Sequence, residues 1–201
     1  MAGDAPAPET ASTEAAPRAP ESEPSGDPPP RPPTRLADTW GLGVVSTMLL
    51  AFVGLTGVGL LFVYRPVPEL AAVDILDLRE ASRFGFLREW HVWGSHAVLV
   101  VVVLHLLRVF LTGAYRPPRH RNWLVGVALL VLTAALAFTG TLLPWSHDGW
   151  WAVHASLGGM VEPGPGTLHL FYVAHCFLLP VLVVLLVLDH LRRARRDGAE
   201  G

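Results

Sequence analysis

The apolar residues of this chain are concentrated in four long stretches separated by polar connections. We name them spans A to D, and they cover residues 40–64, about 90–115, about 123–143 and about 168–191. Each is close to the roughly 20 residues that a helix needs to cross a bilayer. Three contain long segments without any charged residue: 41–64, 124–143 and 170–188. Because hydrocarbon offers no water to backbone polar groups, we predict an all-α membrane protein, a bundle of four transmembrane helices.

The two ends of the chain are polar. Residues 1–39 hold ten of the eighteen prolines, and the other residues there are mostly Ala, Glu and Ser. This composition cannot bury enough apolar surface to offset the entropy of ordering, so residues 1–38 are predicted to form a disordered tail. No apolar core follows a basic start, which argues against a signal peptide. The predicted organisation is this tail, a membrane domain over residues 39–192 and a short basic tail over residues 193–201.

The placement of arginine predicts the orientation of the bundle. The connection between spans B and C has three arginines within residues 116–121, and residues 192–196 have four. Residues 144–168, between spans C and D, have none. By the positive-inside rule, both termini and the B–C connection are cytoplasmic, in a bacterial cytoplasmic membrane. Spans B and D then run in the same direction, from outside to inside.

Charge and cysteine content exclude several classes of function. A net charge of −2 gives no basic excess of the kind that nucleic-acid binding requires. The single cysteine, Cys176, excludes an intramolecular disulfide, an iron–sulfur cluster held by this chain alone and a CxxCH site for covalent haem. Any redox chemistry must therefore use other ligands.

Histidines recur at matched spacing on spans B and D. His91 and His105 are 14 residues apart, and His175 and His190 are 15 apart. A helix returns close to the same face after such a step and rises roughly 21 Å. His91 is then level with His175 near the outside, and His105 is level with His190 towards the inside. Two imidazoles at each level predict two non-covalent b-type haems, because a bare zinc or copper ion would need three or four converging ligands.

Glycines repeat the same spacing on spans A and C. Gly43 and Gly57 are 14 residues apart, and so are Gly126 and Gly140. A residue without a Cβ atom permits the close approach of a porphyrin edge. The direction of the spans places Gly57 and Gly140 at the outer level and the other two at the inner level. One such pair alone would be explained by plain helix packing, and a lone histidine by packing or proton relay; their common register favours haem.

The remaining ionisable residues are of two kinds. Arg88 and Arg108 lie one turn from His91 and His105, where a guanidinium can pair with a haem propionate, although Arg88 can equally reach lipid phosphate. The other histidines are predicted to be surface or interface residues: His96, His120, His147, His154 and His169. As a lesser hypothesis, His147 and His154 accept protons at an outer quinol site.

The chain resembles the N-terminal half of cytochrome b from bc-type complexes, in the split form called cytochrome b6. The similarity covers residues 40–192 and is carried by WGLG (40–43), by TG with YRP (56–66), by H-x13-H followed by LLRVFLTG (91–113), by WLVGVALLVLTA with TGTLLPW (123–145), and by FYVAHCFLLP with DH (171–190).

This resemblance implies a set of roles. His91 and His175 would hold the low-potential haem, and His105 and His190 the high-potential haem. The four glycines match haem-packing positions, and the two arginines match propionate-binding positions. Quinol would be oxidised outside, with one electron passing to a Rieske iron–sulfur protein and then a c-type cytochrome, and the other crossing through the two haems to quinone. The resemblance also implies a dimeric complex and a separate C-terminal cytochrome b subunit.

Three departures from the family pattern bear on that role. The segment from Pro144 to His175 is shorter than the family's C–D connection, which helps to build the outer quinol pocket. Gly41 stands where the photosynthetic split form has a cysteine that fixes an extra haem, so that haem is not expected. The PEWY-bearing quinol loop belongs to the family's C-terminal half and would come from another subunit.

The sequence therefore predicts a dihaem subunit of a quinol:cytochrome c oxidoreductase, inactive alone and with no catalytic side chain of its own. An alternative is a dihaem membrane anchor of a dehydrogenase or hydrogenase that exchanges electrons with quinone without bifurcation. A non-redox four-helix transporter or assembly protein is a further alternative, and it would show no haem spectrum.

Overall fold

A computed structural model describes residues 41–80, 84–156, 158–162 and 164–199, together with the isolated Gly3. Apart from Gly3, these residues belong to one unit, Pro33–Gly201. The predicted disordered tail at residues 1–38 lies outside the described residues.

The described residues form seven α-helices and one π-helical segment. In chain order they are α1 (Leu42–Leu61), α2 (Pro68–Glu80), α3 (Gly85–Leu111), α4 (His120–Leu142), α5 (His147–Ser156), α6 (Pro165–Val173), the π segment (Ala174–Leu178) and α7 (Leu179–Ala199).

Four helical stretches are long and apolar enough to cross a membrane, and they correspond to spans A to D: Leu42–Leu61, Gly85–Leu111, His120–Leu142 and Pro165–Arg196. The last is continuous from α6 through the π segment into α7. No strand occurs in the described ranges. The predicted fold class, an all-α bundle with four membrane-spanning helices, is confirmed.

The bundle is built from two pairs of long helices. Helix α1 packs along α3, α4 packs along α7, and α3 and α4 join the pairs. In the middle part of the long helices, the buried residues include the apolar Val98, Val102, Leu129 and Val183 and the polar Thr133. Most other large side chains point outwards, as expected where the surroundings are lipid rather than water.

Two short helices, α2 and α5, were not predicted, and both lie in connections on the same side of the bundle. Ala71, Asp74 and Leu78 form the buried face of α2, at the three- and four-residue steps of an amphipathic helix. Helix α5 buries Trp150 against Leu142 at the end of α4. Each helix is thus held by one narrow face.

Polar contacts at this end fix the α1–α2 connection. The Tyr64 hydroxyl donates to the carbonyl oxygen of Leu143 at 2.5 Å, and the Tyr64 ring stacks on Tyr172. The Arg65 guanidinium pairs with Asp74, whose side chain is 4% exposed, and the Arg65 backbone N–H donates to the same carboxylate at 2.8 Å. The hydrogen bond from Arg65 holds the pKa of Asp74 below its usual range, and burial raises the pKa of Tyr64.

The last helix continues beyond the predicted end of span D. Helix α7 reaches Ala199, so residues 193–199, predicted as a basic tail, are helical. Arg193 donates to the Asp189 carboxylate one turn earlier at 2.7 Å, a pairing that favours continuation of the helix.

Candidate functional site

The first candidate site, which we call level 1, contains His91 and His175 with Gly57 and Gly140. A Cβ atom built on Gly57 would lie 3.0 Å from His91 Cε1, and one on Gly140 would lie 2.7 Å from His175 Cε1. The centres of the two imidazole rings are 6.1 Å apart. Level 1 corresponds to the predicted outer level, and all four of its predicted residues come together.

The spacing of these rings can be compared with metal chemistry. Two imidazoles that bind one iron from opposite sides, through metal–nitrogen bonds of about 2 Å each, place their ring centres roughly 6 Å apart. The observed 6.1 Å matches this requirement. Without a Cβ atom, the backbone of each glycine can lie directly against an imidazole.

Each histidine of level 1 is oriented by hydrogen bonds between its Nδ1 atom and the neighbouring helix, which is α1 for His91 and α4 for His175. His91 Nδ1 lies 3.1 Å from the Val53 carbonyl oxygen and 3.2 Å from Thr56 Oγ1. Because a carbonyl only accepts, Nδ1 carries the proton and Nε2 keeps its lone pair for a metal.

The second half of level 1 repeats this pattern. His175 Nδ1 lies 3.0 Å from the Leu136 carbonyl oxygen and 3.1 Å from Thr139 Oγ1. In both halves the threonine immediately precedes the glycine, and the carbonyl belongs to the residue four positions before that glycine. The threonines escaped the sequence analysis, although the recurrence of Thr-Gly on spans A and C was an available signal.

Level 2 contains His105 and His190 with Gly43 and Gly126, the predicted inner set. A Cβ atom on Gly43 would lie 3.2 Å from His105 Cε1, and one on Gly126 would lie 3.5 Å from His190 Cε1. The imidazoles of His105 and His190 are close enough to interact electrostatically. The four residues predicted for the inner level therefore lie together, and the structure adds that Gly43 faces His105 and Gly126 faces His190.

Level 2 differs from level 1 in its polar atoms. The Nδ1 atoms of His105 and His190 are buried, and neither has a hydrogen-bond partner of ordinary geometry among the described residues. The Asn122 backbone lies near His190, but it does not meet the distance and angle of an ordinary hydrogen bond to Nδ1. Asn122 Oδ1 and Trp123 Nε1, at the start of α4, are likewise buried without a partner in this part of the chain. Level 2 thus contains buried polar atoms for which the described residues supply no hydrogen-bond partner.

The π segment reconciles the unequal histidine spacings. His175 lies within Ala174–Leu178, where each backbone bond closes over one residue more than in an α-helix. One residue is absorbed there, so the 15-residue step from His175 to His190 matches the 14-residue step from His91 to His105. Without this segment the two steps would differ by about 100° in direction.

The two candidate propionate-binding arginines occupy different environments. Arg88 donates to the neighbouring Glu89 carboxylate at 2.7 Å and is 21% exposed. Arg108 lies within electrostatic range of His105. Each arginine is therefore close in sequence to the histidine assigned to it, and Arg108 is close in space as well.

The remaining histidines lie outside both levels. His96, His120 and His169 are exposed. His147 accepts a hydrogen bond from Trp151 Nε1 at 2.7 Å, and His154 Nδ1 lies 2.9 Å from the Val161 carbonyl oxygen.

A cavity of about 370 Å³ opens beside α5. Its lining consists of Trp145, Ser146, His147, Trp150, Trp151, His154 and Glu162. Trp150 Nε1 is buried there and has no hydrogen-bond partner in the described residues. The cavity thus combines aromatic walls with titratable groups.

These observations fit two b-type haems better than a metal ion alone. Over the described ranges, no three His, Cys, Asp or Glu side chains come close enough to hold an ion. Each level instead offers two imidazoles from different helices, and each imidazole faces a glycine. This is the arrangement that a planar macrocycle bound on both faces requires.

The chain is similar to known proteins in sequence and in fold. The family model described as "Cytochrome b/b6/petB" matches residues 30–163, about two thirds of the chain. The match ends before α6, so His175 and His190 lie beyond it. A solved structure titled "Hyperthermophilic respiratory Complex III" is similar in fold, with a TM-score of 0.72 and 22% sequence identity. That match covers 79% of this chain and 47% of the other, so this chain spans about half the length of the protein it matches.

Proposed function

Because this chain belongs to the cytochrome b/b6/petB family, we propose that it is the dihaem cytochrome b subunit of a quinol:cytochrome c oxidoreductase of the bc type. With four helices long and apolar enough to cross a bilayer, it is an integral membrane protein. Its role in the complex would be to carry electrons across the membrane between a quinol oxidation site and a quinone reduction site.

One observation carries the proposal: two pairs of imidazoles, each imidazole facing a glycine, at two separate levels of one bundle. His91 and His175 would bind the low-potential haem at level 1, and His105 and His190 the high-potential haem at level 2. Gly57, Gly140, Gly43 and Gly126 would admit the edges of the macrocycles. Arg88 and Arg108 would pair with propionates.

The side chains of this protein would hold the haems, set the distance between them and keep water away from them. When bound, haem supplies one-electron redox chemistry, which no side chain in the two levels provides. The Nδ1 hydrogen bonds fix the tautomer of His91 and His175, so that both Nε2 atoms are available as ligands. The buried side chains of Val98, Leu129 and Val183 would help to separate the levels and to exclude water between them.

The orientation of the bundle and its partners are part of the same proposal. Level 1 would face the outside, near the cavity beside α5, where His147 and His154 are candidate proton acceptors from quinol. The electron acceptors there would be a Rieske iron–sulfur protein and a c-type cytochrome. A separate C-terminal cytochrome b subunit would supply the rest of the quinol site, in a dimeric complex in a bacterial cytoplasmic membrane.

The spectra of membranes containing the chain test the dihaem assignment. Reduced-minus-oxidised spectra are expected to show two b-type components of different potential. His105→Ala should remove one, His91→Ala should remove the other, and His96→Ala, at an exposed position, should keep both. Immunodetection of each variant in the membrane controls for failure to insert. Retention of both components in His105→Ala and His91→Ala would refute the ligand assignment.

Subunit composition separates the proposal from the dihaem anchor of a dehydrogenase or hydrogenase. The purified complex is expected to contain a Rieske protein and a C-terminal cytochrome b partner. Dehydrogenase or hydrogenase subunits in their place would favour the anchor, for which a bifurcating outer site is unnecessary. The shortened connection from Pro144 to His175 is the feature of this chain that favours the anchor.

A further inference from the structure

We propose that Thr56 and Thr139 are positioning residues that act through His91 and His175 to lower the redox potential of the haem at level 1 relative to that at level 2. This inference rests on the proposed dihaem function. It concerns two hydroxyl groups that neither the spacing of histidines nor the spacing of glycines identifies.

The hydroxyl of Thr56 is buried and can act as an acceptor towards His91. It donates its own proton within α1, to the carbonyl oxygens of Val53 at 2.9 Å and Phe52 at 3.2 Å. Its oxygen therefore faces the His91 Nδ1–H, 3.2 Å away, with a lone pair. His91 thus donates to two acceptors, this hydroxyl and the Val53 carbonyl.

Thr139 does the same on α4. It donates to the carbonyl oxygens of Ala135 at 2.8 Å and Leu136 at 3.1 Å, and its oxygen lies 3.1 Å from His175 Nδ1. Thr56 is 5% exposed and Thr139 is 7% exposed, so water does not compete for either contact. Each imidazole of level 1 is consequently held by its own pair of acceptors, one threonine hydroxyl and one backbone carbonyl.

The equivalent positions at level 2 lack this hydroxyl. The residue preceding Gly43 is Leu42, and the residue preceding Gly126 is Val125, and neither can accept a hydrogen bond through its side chain. The carbonyl contacts do not enter this comparison, because residue 39, four positions before Gly43, lies outside the described residues and the Asn122 backbone is near His190. Level 1 therefore has a side-chain hydroxyl acceptor for each imidazole proton, and level 2 has none at the matching positions.

This difference has a defined electrostatic effect on a bound iron. An imidazole whose Nδ1–H is drawn towards acceptors becomes more basic at Nε2 and a stronger donor to the metal. Stronger donation stabilises ferric over ferrous iron, because the oxidised metal carries one more positive charge. The haem at level 1 should accordingly be harder to reduce, which favours electron flow from level 1 to level 2.

The test replaces each hydroxyl by a methyl group of similar shape. Thr56→Val, Thr139→Val and the double variant are titrated potentiometrically in the purified complex. Haem content and the low-temperature spectrum of each component are recorded alongside. The level 1 component, identified by its loss in His91→Ala, should move to higher potential in each single variant, and further in the double variant, while the level 2 component stays fixed.

Two further sets of variants show whether the hydroxyl itself is responsible. Thr56→Ser and Thr139→Ser keep the hydroxyl and should restore the original potential. Thr133→Val provides the matched control. Thr133 lies on α4, as Thr139 does, and is 6% exposed, and its hydroxyl donates to the carbonyl oxygen of Leu129 within α4 at 2.7 Å. This variant should leave both potentials unchanged.

The outcomes separate this inference from the proposed function. Two bound haems with an unchanged level 1 potential in the double variant would overturn the role of the threonines and leave the dihaem function standing. Equal shifts of both components, or a shift that serine does not restore, would also overturn it. Absence of haem from the unmodified complex would instead refute the proposed function itself.

Discussion

The glycines of the two levels should differ in their tolerance of a single added methyl group. In Gly140→Ala the new Cβ atom would lie 2.7 Å from His175 Cε1, whereas in Gly126→Ala it would lie 3.5 Å from His190 Cε1. Ordinary carbon–carbon contacts are about 3.5–4.0 Å. The second substitution thus makes a normal contact, and the first forces a ring or a helix to move.

The size of the effect follows from this difference. Replacing glycine by alanine inside a helix gains about 1 kcal/mol in either case, so that term cancels between the two variants. The steric term remains for Gly140→Ala, and overpacking of this kind costs roughly 1–3 kcal/mol. His175 cannot rotate away cheaply, because its Nδ1 is bonded to Leu136 and Thr139. Relative to the unmodified protein, Gly140→Ala should therefore weaken binding of the level 1 haem roughly 5- to 150-fold more than Gly126→Ala weakens binding of the level 2 haem.

Haem transfer measures this quantity directly. The purified variants are mixed with excess of an apoprotein that takes up free haem, and the loss of each b-type component is followed by difference spectra. Retention of each component is expressed relative to the same component of the unmodified protein. The expected order is then Gly126→Ala above Gly43→Ala, then Gly57→Ala, then Gly140→Ala, which follows the distances of 3.5, 3.2, 3.0 and 2.7 Å. Equal loss in Gly126→Ala and Gly140→Ala would show that contact with the imidazole does not govern these positions.

Two more predictions concern the π segment and the helix α2. Deletion of Cys176 should convert the π segment into regular α-helix and keep both haems. Deletion of Val101 in α3, which has no π segment, should instead remove one haem. Loss of a haem on deletion of Cys176 would contradict the register argument. The pKa of Asp74 is lowered in the folded protein, so the contribution of its pair with Arg65 is complete at neutral pH and is lost as the pH falls below about 4. Asp74→Asn should increase hydrogen exchange of α2 at pH 7 and abolish this acid dependence, and an acid dependence equal to that of the unmodified protein would assign it to another carboxylate.

The long-range features of the bundle were predictable because they are periodic. Four apolar spans predicted the helices, and the alternating direction of the spans predicted that Gly57 is level with His91 and Gly126 with His190, as in the structure. A register of this kind needs only the geometry of straight helices. The haem assignment drawn from that register stays a prediction.

The features that escaped prediction are local. The buried face of helix α2 has only three residues, and one of them is the charged Asp74, so the hydrophobic period of this helix is difficult to recognise in the sequence. In the sequence, the π segment shows only as one additional residue between His175 and His190, compared with the step from His91 to His105. The hydrogen bonds of Thr56 and Thr139 depend on which faces of two helices meet, and no pattern within one helix specifies that.

The repeated contact between a Thr-Gly pair and an imidazole has a consequence for protein design. The α1–α3 hairpin carries Thr56, Gly57 and His91, and the hairpin formed by α4 with the last span carries their counterparts in the same relation. One hairpin sequence, assembled as a homodimer about a twofold axis, would present two identically oriented imidazoles across that axis. The chemistry of level 1 can thus be encoded in about 50 residues, the length of two spanning helices and a turn.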